Sequence, residues 1–214
     1  MTTQEMPEIP VSVDGEFTGP IPGPYSMISL GAVAYDPEGI ELTRFKVNMH
    51  ELPGATYDPI TKAEFWDRQP EAWRLATENP IDPGKAMHQF DNWLSKLPGR
   101  PKLIGWPLPV DFMFIYWYYV NFMGKTPPFG YDGIDIKTYA MAKMDCETMS
   151  GKSNGTSRKA VQELLGIPTD DFSHDPVDDA AQQAKLYFGL RNMDWTTGPG
   201  ISATKVAELF RGKK

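Results

Sequence analysis

The sequence predicts an α/β fold, and three observations carry that expectation. Apolar and polar side chains alternate in two early segments with a β-rich one between them, each bounded by turn residues. From Pro70 onward the apolar spacing changes to steps of three and four, as helices require. A short apolar stretch from Lys102 to Trp106 then runs into a segment rich in aromatic residues, giving a strand followed by a helix.

Taken in order, the first strand runs from Ile9 to Glu16, with Val11 and Val13 on one face. The Gly/Pro-rich turn Gly19 to Pro24 separates it from a second strand, Met27 to Tyr35. Asp36-Pro-Glu-Gly39 turns the chain into a third, Glu41 to Asn48, with Leu42, Phe45 and Val47, which completes a meander. Pro70 to Leu97 holds helical stretches in which Met87, Phe90, Trp93, Leu94 and Leu97 share a face. Asp111 to Phe122 is an aromatic helix, shorter than the roughly 20 apolar residues a membrane span needs, so no membrane partner is expected. It carries more large rings than one buried face readily holds; core packing is one account of them and a homodimer surface the other.

Tyr131 to Ile136 reads as a further short strand, with helical pieces at Thr138 to Met144 and Ser157 to Leu165. Asp175-Pro176 opens the last long helix, with Asp as cap and Pro as first residue, and Val177, Ala181, Ala184 and Phe188 form its apolar stripe. Ser202 to Phe210 adds a short helix. No repeat or linker divides the chain, so residues 1–214 are expected to form one domain with its core at about 10–192.

Composition sets outer bounds. With 41% hydrophobic and 23% charged residues the chain has the make-up of a globular protein. A net charge of −7 argues against a protein that holds nucleic acid mainly by a basic surface. It leaves room for a nucleic-acid enzyme whose carboxylates are neutralised by bound metal ions. The single cysteine, Cys146, excludes an internal disulfide, and the first residues show neither a basic nor an apolar signal region, so a cytoplasmic protein is expected.

Asp14 and Glu16 stand two apart on the first strand, so both carboxylates share a face. Asp111 opens the aromatic helix; His174 precedes the last helix, and Asp179 lies one turn into it. Each alone is an ordinary cap or surface acid. Asp178 is the rival of Asp179, but it lies about 100° round the helix on another face. In chain order the set is a strand Asp-x-Glu, a central Asp at a strand-to-helix junction, and a His followed five positions later by an Asp.

That set resembles the DEDDh exonucleases, of the DnaQ-like and RNase T-like kind with an RNase H-like fold. The resemblance rests on Val11-Ser-Val-Asp-Gly-Glu-Phe-Thr-Gly19, Val110-Asp-Phe112 and His174-Asp-Pro-Val-Asp-Asp-Ala180, and spans roughly Pro10 to Leu190. Pro127 to Tyr139 is similar to the small bacterial and phage exoribonuclease-like branch, while Gly105-Trp106-Pro107 replaces the His-Asn that many members carry before the central Asp. The resemblance implies a mixed five-stranded sheet, three antiparallel strands followed by parallel ones, flanked by helices. It also implies metal-dependent 3′–5′ removal of nucleoside 5′-monophosphates from single-stranded nucleic acid, with RNA favoured over DNA. A catalytically inactive nucleic-acid-binding module is the alternative of another class.

Two hard divalent ions about 3.5–4 Å apart suit such hydrolysis, and carboxylates are the ligands Mg²⁺ or Mn²⁺ prefers. By resemblance, Asp14, Glu16 and Asp179 hold the ion that binds the attacking water, Asp14 and Asp111 reach the second, and His174 is the general base. Phe17 and Thr18 are similar to the positions that contact the terminal base and sugar, and Lys152, Arg158 and Lys159 are candidate phosphate contacts. Gly151-Lys152-Ser153 is not a P-loop, because the first glycine position is Cys146. His50 and His88 have no partners at metal-ligand spacing.

Overall fold

Strand β1 (Glu8–Phe17) lies at the middle of the sheet, and its run of apolar residues explains why: it is covered on both faces. β2 (Met27–Tyr35) and β3 (Glu41–Asn48) pair antiparallel beside it. β4 (Arg100–Gly105) joins β1 on the other side in parallel, and β5 (Gly133–Asp135) joins β4 in parallel, giving the order β3-β2-β1-β4-β5. This is the mixed five-stranded sheet that the family resemblance implies, with β2 and β3 in the bounds read from the sequence. The computed structural model describes residues 6–144, 157–169 and 173–194. Cys146, Lys152 and the helix expected at Ser202 to Phe210 lie outside them.

Side-chain alternation splits the core in two. Helices α3 (Pro83–Leu94) and α4 (Leu108–Met123) bury Val11, Val13, Leu30 and Leu103 on one face. Helices α5 (Ile136–Lys143), α6 (Arg158–Leu165) and α7 (Pro176–Asn192) cover Val33, Tyr35 and Ile104 on the other. A third cluster gathers Ile28, Trp66, Ala72 and Ala76 under α1 (Pro59–Glu64), a 3-10 turn (Trp66–Arg68) and α2 (Pro70–Thr77).

Two differences from the sequence reading matter for the site. α4 begins at Leu108, so Asp111 falls within its first turn. The residues at 59–68 form α1 and the 3-10 turn, which periodicity could not reveal because α1 buries no side chain. Its start is set by the Asp58 carboxylate, which accepts the Thr61 N–H at 2.7 Å. In α4, Phe114, Tyr118 and Tyr119 fill the core, while Phe112, Met113, Tyr116 and Trp117 pack on it only in part. No described helix is long and apolar enough to cross a membrane. His50 and His88 are surface residues.

Candidate active site

The site forms where the C-terminal half of β1 meets the first turns of α4 and α7. Asp14 and Glu16 share the face of β1 that α7 covers, as period-two alternation requires. Asp14 is in register with Gly31 of β2. A Cβ on Gly31 would overlap the backbone of Pro176 and Val177, so this glycine lets the start of α7 settle on the sheet beside Asp14. Gly15 has a similar task toward α4. Its N–H donates to Asp111 Oδ1 at 2.8 Å, and a side chain there would collide with the ring of Phe17. Bare backbone thus brings the central acid against the strand, and the strand register slips between Glu16 and Phe17.

On α7, Asp175 caps the helix by accepting the Val177 N–H at 3.1 Å, and Lys46 pairs with it at 2.7 Å. Asp179 is buried, one turn in. Its Oδ1 accepts from the Ser173 N–H and hydroxyl, at 3.1 and 3.2 Å, and its Oδ2 accepts from the His174 N–H at 3.1 Å. Asp178 is exposed and pairs with Arg44 at 3.1 Å. His174 adopts a left-handed backbone, φ 55°, which costs roughly 1–2 kcal/mol for a side chain with a Cβ. The Asp179 hydrogen bond helps hold it there. Its ring meets Phe65 edge-on with centroids 5.1 Å apart.

The electrostatics are those of acids crowded together away from water. Glu16 is pushed up to about 8, by burial first and then by Asp179, Asp111 and Asp175. Asp14 rises well above the carboxylate range through burial, with Asp111, Glu16 and Asp179 adding to it, while the Gln183 amide opposes the rise. Burial lifts Asp111 to about 7 against the relief given by the Gly15 N–H. Asp179 rises to about 6, again by burial, relieved by Ser173, His174 and the nearby Arg158. Among the described residues no group of three or more His, Cys, Asp or Glu is arranged, as it stands, to hold a metal ion. The cluster is instead four oxygen-donor groups that repel one another, and that donor chemistry fits a hard divalent cation.

Five residues named from the sequence, Asp14, Glu16, Asp111, His174 and Asp179, therefore belong to one neighbourhood. Phe17 joins them as a half-buried ring stacked on Phe114, centroids 4.2 Å apart. Thr18 departs from the expected sugar contact. Its side chain is fully buried; the hydroxyl donates to the Thr56 carbonyl at 2.9 Å and accepts the Ser26 N–H at 2.8 Å, which commits it to the fold. Arg158 lies near Asp179, and Lys159 is exposed.

Gln183, Phe65 and Trp66 went unnoticed in the sequence. Trp66 Nε1 donates to the Phe17 carbonyl at 3.0 Å and so fixes the 3-10 turn against the end of β1. Gln183 stands four residues after Asp179, and the available signal was a polar side chain on the helix face that carries that acid.

No protein-family model matches the chain. The 3′–5′ DNA exonuclease Cap18 of Escherichia coli is 30% identical over 188 residues, 84% of this chain and 90% of that protein. Among solved structures, Mg²⁺- and Mn²⁺-bound Pop2p of S. pombe superposes with a TM-score of 0.61 at 16% identity, over 92% of this chain and 87% of that one. The nuclease domain of 3′hExo, a DEDDh family member bound to rAMP, gives 0.61 at 12% identity, over 87% and 92%. Cell-death related nuclease 4 gives 0.60 at 19% identity over 87% of this chain, which spans only 64% of that longer one. At these identities the superpositions establish the RNase H-like fold.

Proposed function

The chain belongs to the DEDDh family of 3′–5′ exonucleases, and from that membership we propose that Asp14, Glu16, Asp111 and Asp179 hold two divalent cations, Mg²⁺ or Mn²⁺, with His174 as general base. The observation that carries this reading is the gathering of four carboxylates whose pKa values are all raised by burial, those of Asp14 and Glu16 also by the acids beside them, a cost that a bound cation would relieve. When bound, such ions supply neutralisation of the phosphoryl oxygens and greater acidity of a water molecule.

The chain's own groups do the rest. The His174 imidazole takes a proton from water as the water oxygen bonds to the terminal phosphorus. The bond from phosphorus to the departing 3′ oxygen breaks, that oxygen takes a proton from solvent, and a nucleoside 5′-monophosphate leaves. Phe17, backed by Phe114, offers its open surface to the terminal base. Arg158, whose charge is felt at Asp179, is the cation assigned to the phosphates in this reading.

We read the substrate as the 3′ end of single-stranded DNA, because the relative at 30% identity is a DNA exonuclease. RNA is the second reading, favoured by the likeness of Pro127 to Tyr139 to exoribonuclease-like chains and by Trp106-Pro107 before the central acid. Digestion of matched DNA and RNA oligonucleotides, single- and double-stranded, with analysis of products decides between them. Faster loss of 5′-mononucleotides from single-stranded DNA is expected. Faster loss from RNA would replace the DNA reading with the second one.

A further inference from the structure

Gln183 lies on α7 one helical turn beyond Asp179 and is 1% exposed. Both ends of its amide are engaged. Oε1 accepts the backbone N–H of Trp106 at 2.6 Å, and Nε2 donates to Asp14 Oδ1 at 2.6 Å. Chemistry fixes the orientation of that amide. Turned over, it would set NH₂ against the Trp106 N–H and a carbonyl oxygen against a carboxylate, two repulsive pairs. The amide is therefore a one-way connector from the exit of β4 to the acid of β1.

Few other side chains can do this. A glutamate would add a fifth carboxylate to the cluster, and a lysine would neutralise Asp14 and compete with a cation. Asparagine is one methylene short of spanning both partners. Glutamine supplies a donor without charge, so the cluster keeps its negative charge while Asp14 loses its freedom to rotate. The connection needs only a backbone N–H at position 106, which the tryptophan standing in the His-Asn position supplies.

We propose that Gln183 is a positioning residue for Asp14: tethered by the Trp106 N–H, it occupies Oδ1 and keeps Oδ2 directed for a divalent cation. The inference rests on the proposed metal-binding role of the four carboxylates. Groups that orient a metal-ligating carboxylate typically change metal affinity or activity 10–100-fold when removed.

The test is calorimetric titration of Mn²⁺ into the wild type, Asp14→Ala, Gln183→Met and Gln183→Asn, with melting in EDTA and with kcat and KM on a single-stranded oligonucleotide. Methionine keeps the length and approximate volume of glutamine and removes the donor. The expected result is a roughly tenfold or greater loss of Mn²⁺ affinity in Gln183→Met, with a matching fall in kcat at limiting Mn²⁺ and KM unchanged. Melting in EDTA separates this from a packing defect, which would lower stability without weakening Mn²⁺ binding. Should Gln183→Met fail to fold, Gln183→Asn carries the same expectation. Wild-type Mn²⁺ affinity and kcat in a folded Gln183 variant overturn the inference alone. A wild type that binds no Mn²⁺, or an Asp14→Ala variant that binds it equally well, overturns the metal site and this inference with it.

Discussion

Replacing Glu16 by glutamine is expected to stabilise the metal-free protein while abolishing its activity. Glu16 is pushed up from 4.5 to about 8 by burial and by Asp179, Asp111 and Asp175. Because the folded value lies above the unfolded one, the neutral form is favoured in the fold. The associated stability is complete below about pH 4.5 and is lost as pH rises through about 8. At about 1.36 kcal/mol per pH unit, that separation sets a ceiling of about 5 kcal/mol for the fully ionised acid. Near pH 8 half-ionisation takes only about 0.4 kcal/mol off that ceiling; the larger reduction comes from water in the open part of the site, which screens the charge. A gain of about 1–2 kcal/mol remains, or roughly 3–6 °C in Tm for a chain of this length. Thermal melting in EDTA at pH 8 and pH 4.5 measures it: Glu16→Gln should melt above the wild type at pH 8 and level with it at pH 4.5. Added Mn²⁺ should reverse the order, raising the wild type and leaving the variant nearly unmoved. A variant that melts below the wild type at pH 8, by the same margin as at pH 4.5, would refute the claim that the four acids repel one another.

The remaining predictions follow from single contacts. Asp179→Asn should lower kcat by about 10³ or more, the scale of a lost group in the reaction centre, whereas Asp178→Asn, on the exposed pair with Arg44, should stay within about twofold in the same assay. Gly31→Ala should cost about 1–3 kcal/mol in urea unfolding and reduce activity, because the new methyl meets the backbone of Pro176 and Val177 rather than a movable side chain. Phe17→Ala should raise KM about tenfold or more with a smaller change in kcat, as expected for a lost stacking contact of roughly 1–3 kcal/mol; steady-state kinetics on oligonucleotides separates the two.

Much of the fold was legible because its signals are local. The turn residues flanking β2 and β3 mark their ends, and Asp175-Pro176 marks the start of α7, since a capping carboxylate and a fixed proline φ act within one turn. The same opening recurs at Asp58-Pro59 and Asp82-Pro83, where Asp82 accepts the Lys85 N–H at 3.0 Å. Reading that pair as a motif would have revealed α1, which apolar spacing could not. α4 starts at Leu108 rather than Asp111, because Pro109 sits in the first turn, where a helix tolerates proline.

At the site, order and spacing pointed to the five polar residues because each sits at the end of an element that the sequence marks. What they could not show depends on contacts between distant segments. Thr18 is claimed by Thr56 and Ser26, and Gln183 finds its partners 77 and 169 positions away in the chain. The choice of Asp179 over Asp178, made on helical angle, coincides with burial of the first and exposure of the second.

Release of label from a 3′-labelled single-stranded oligonucleotide with Mg²⁺ or Mn²⁺, by the wild type, Asp14→Ala and His174→Ala, tests the account most directly. It predicts labelled 5′-mononucleotide as the first product of the wild type, and a loss of about 10²–10⁴ in rate for His174→Ala, with Asp14→Ala at least as impaired. Wild-type cleavage by either variant, or label leaving in longer fragments, would contradict it.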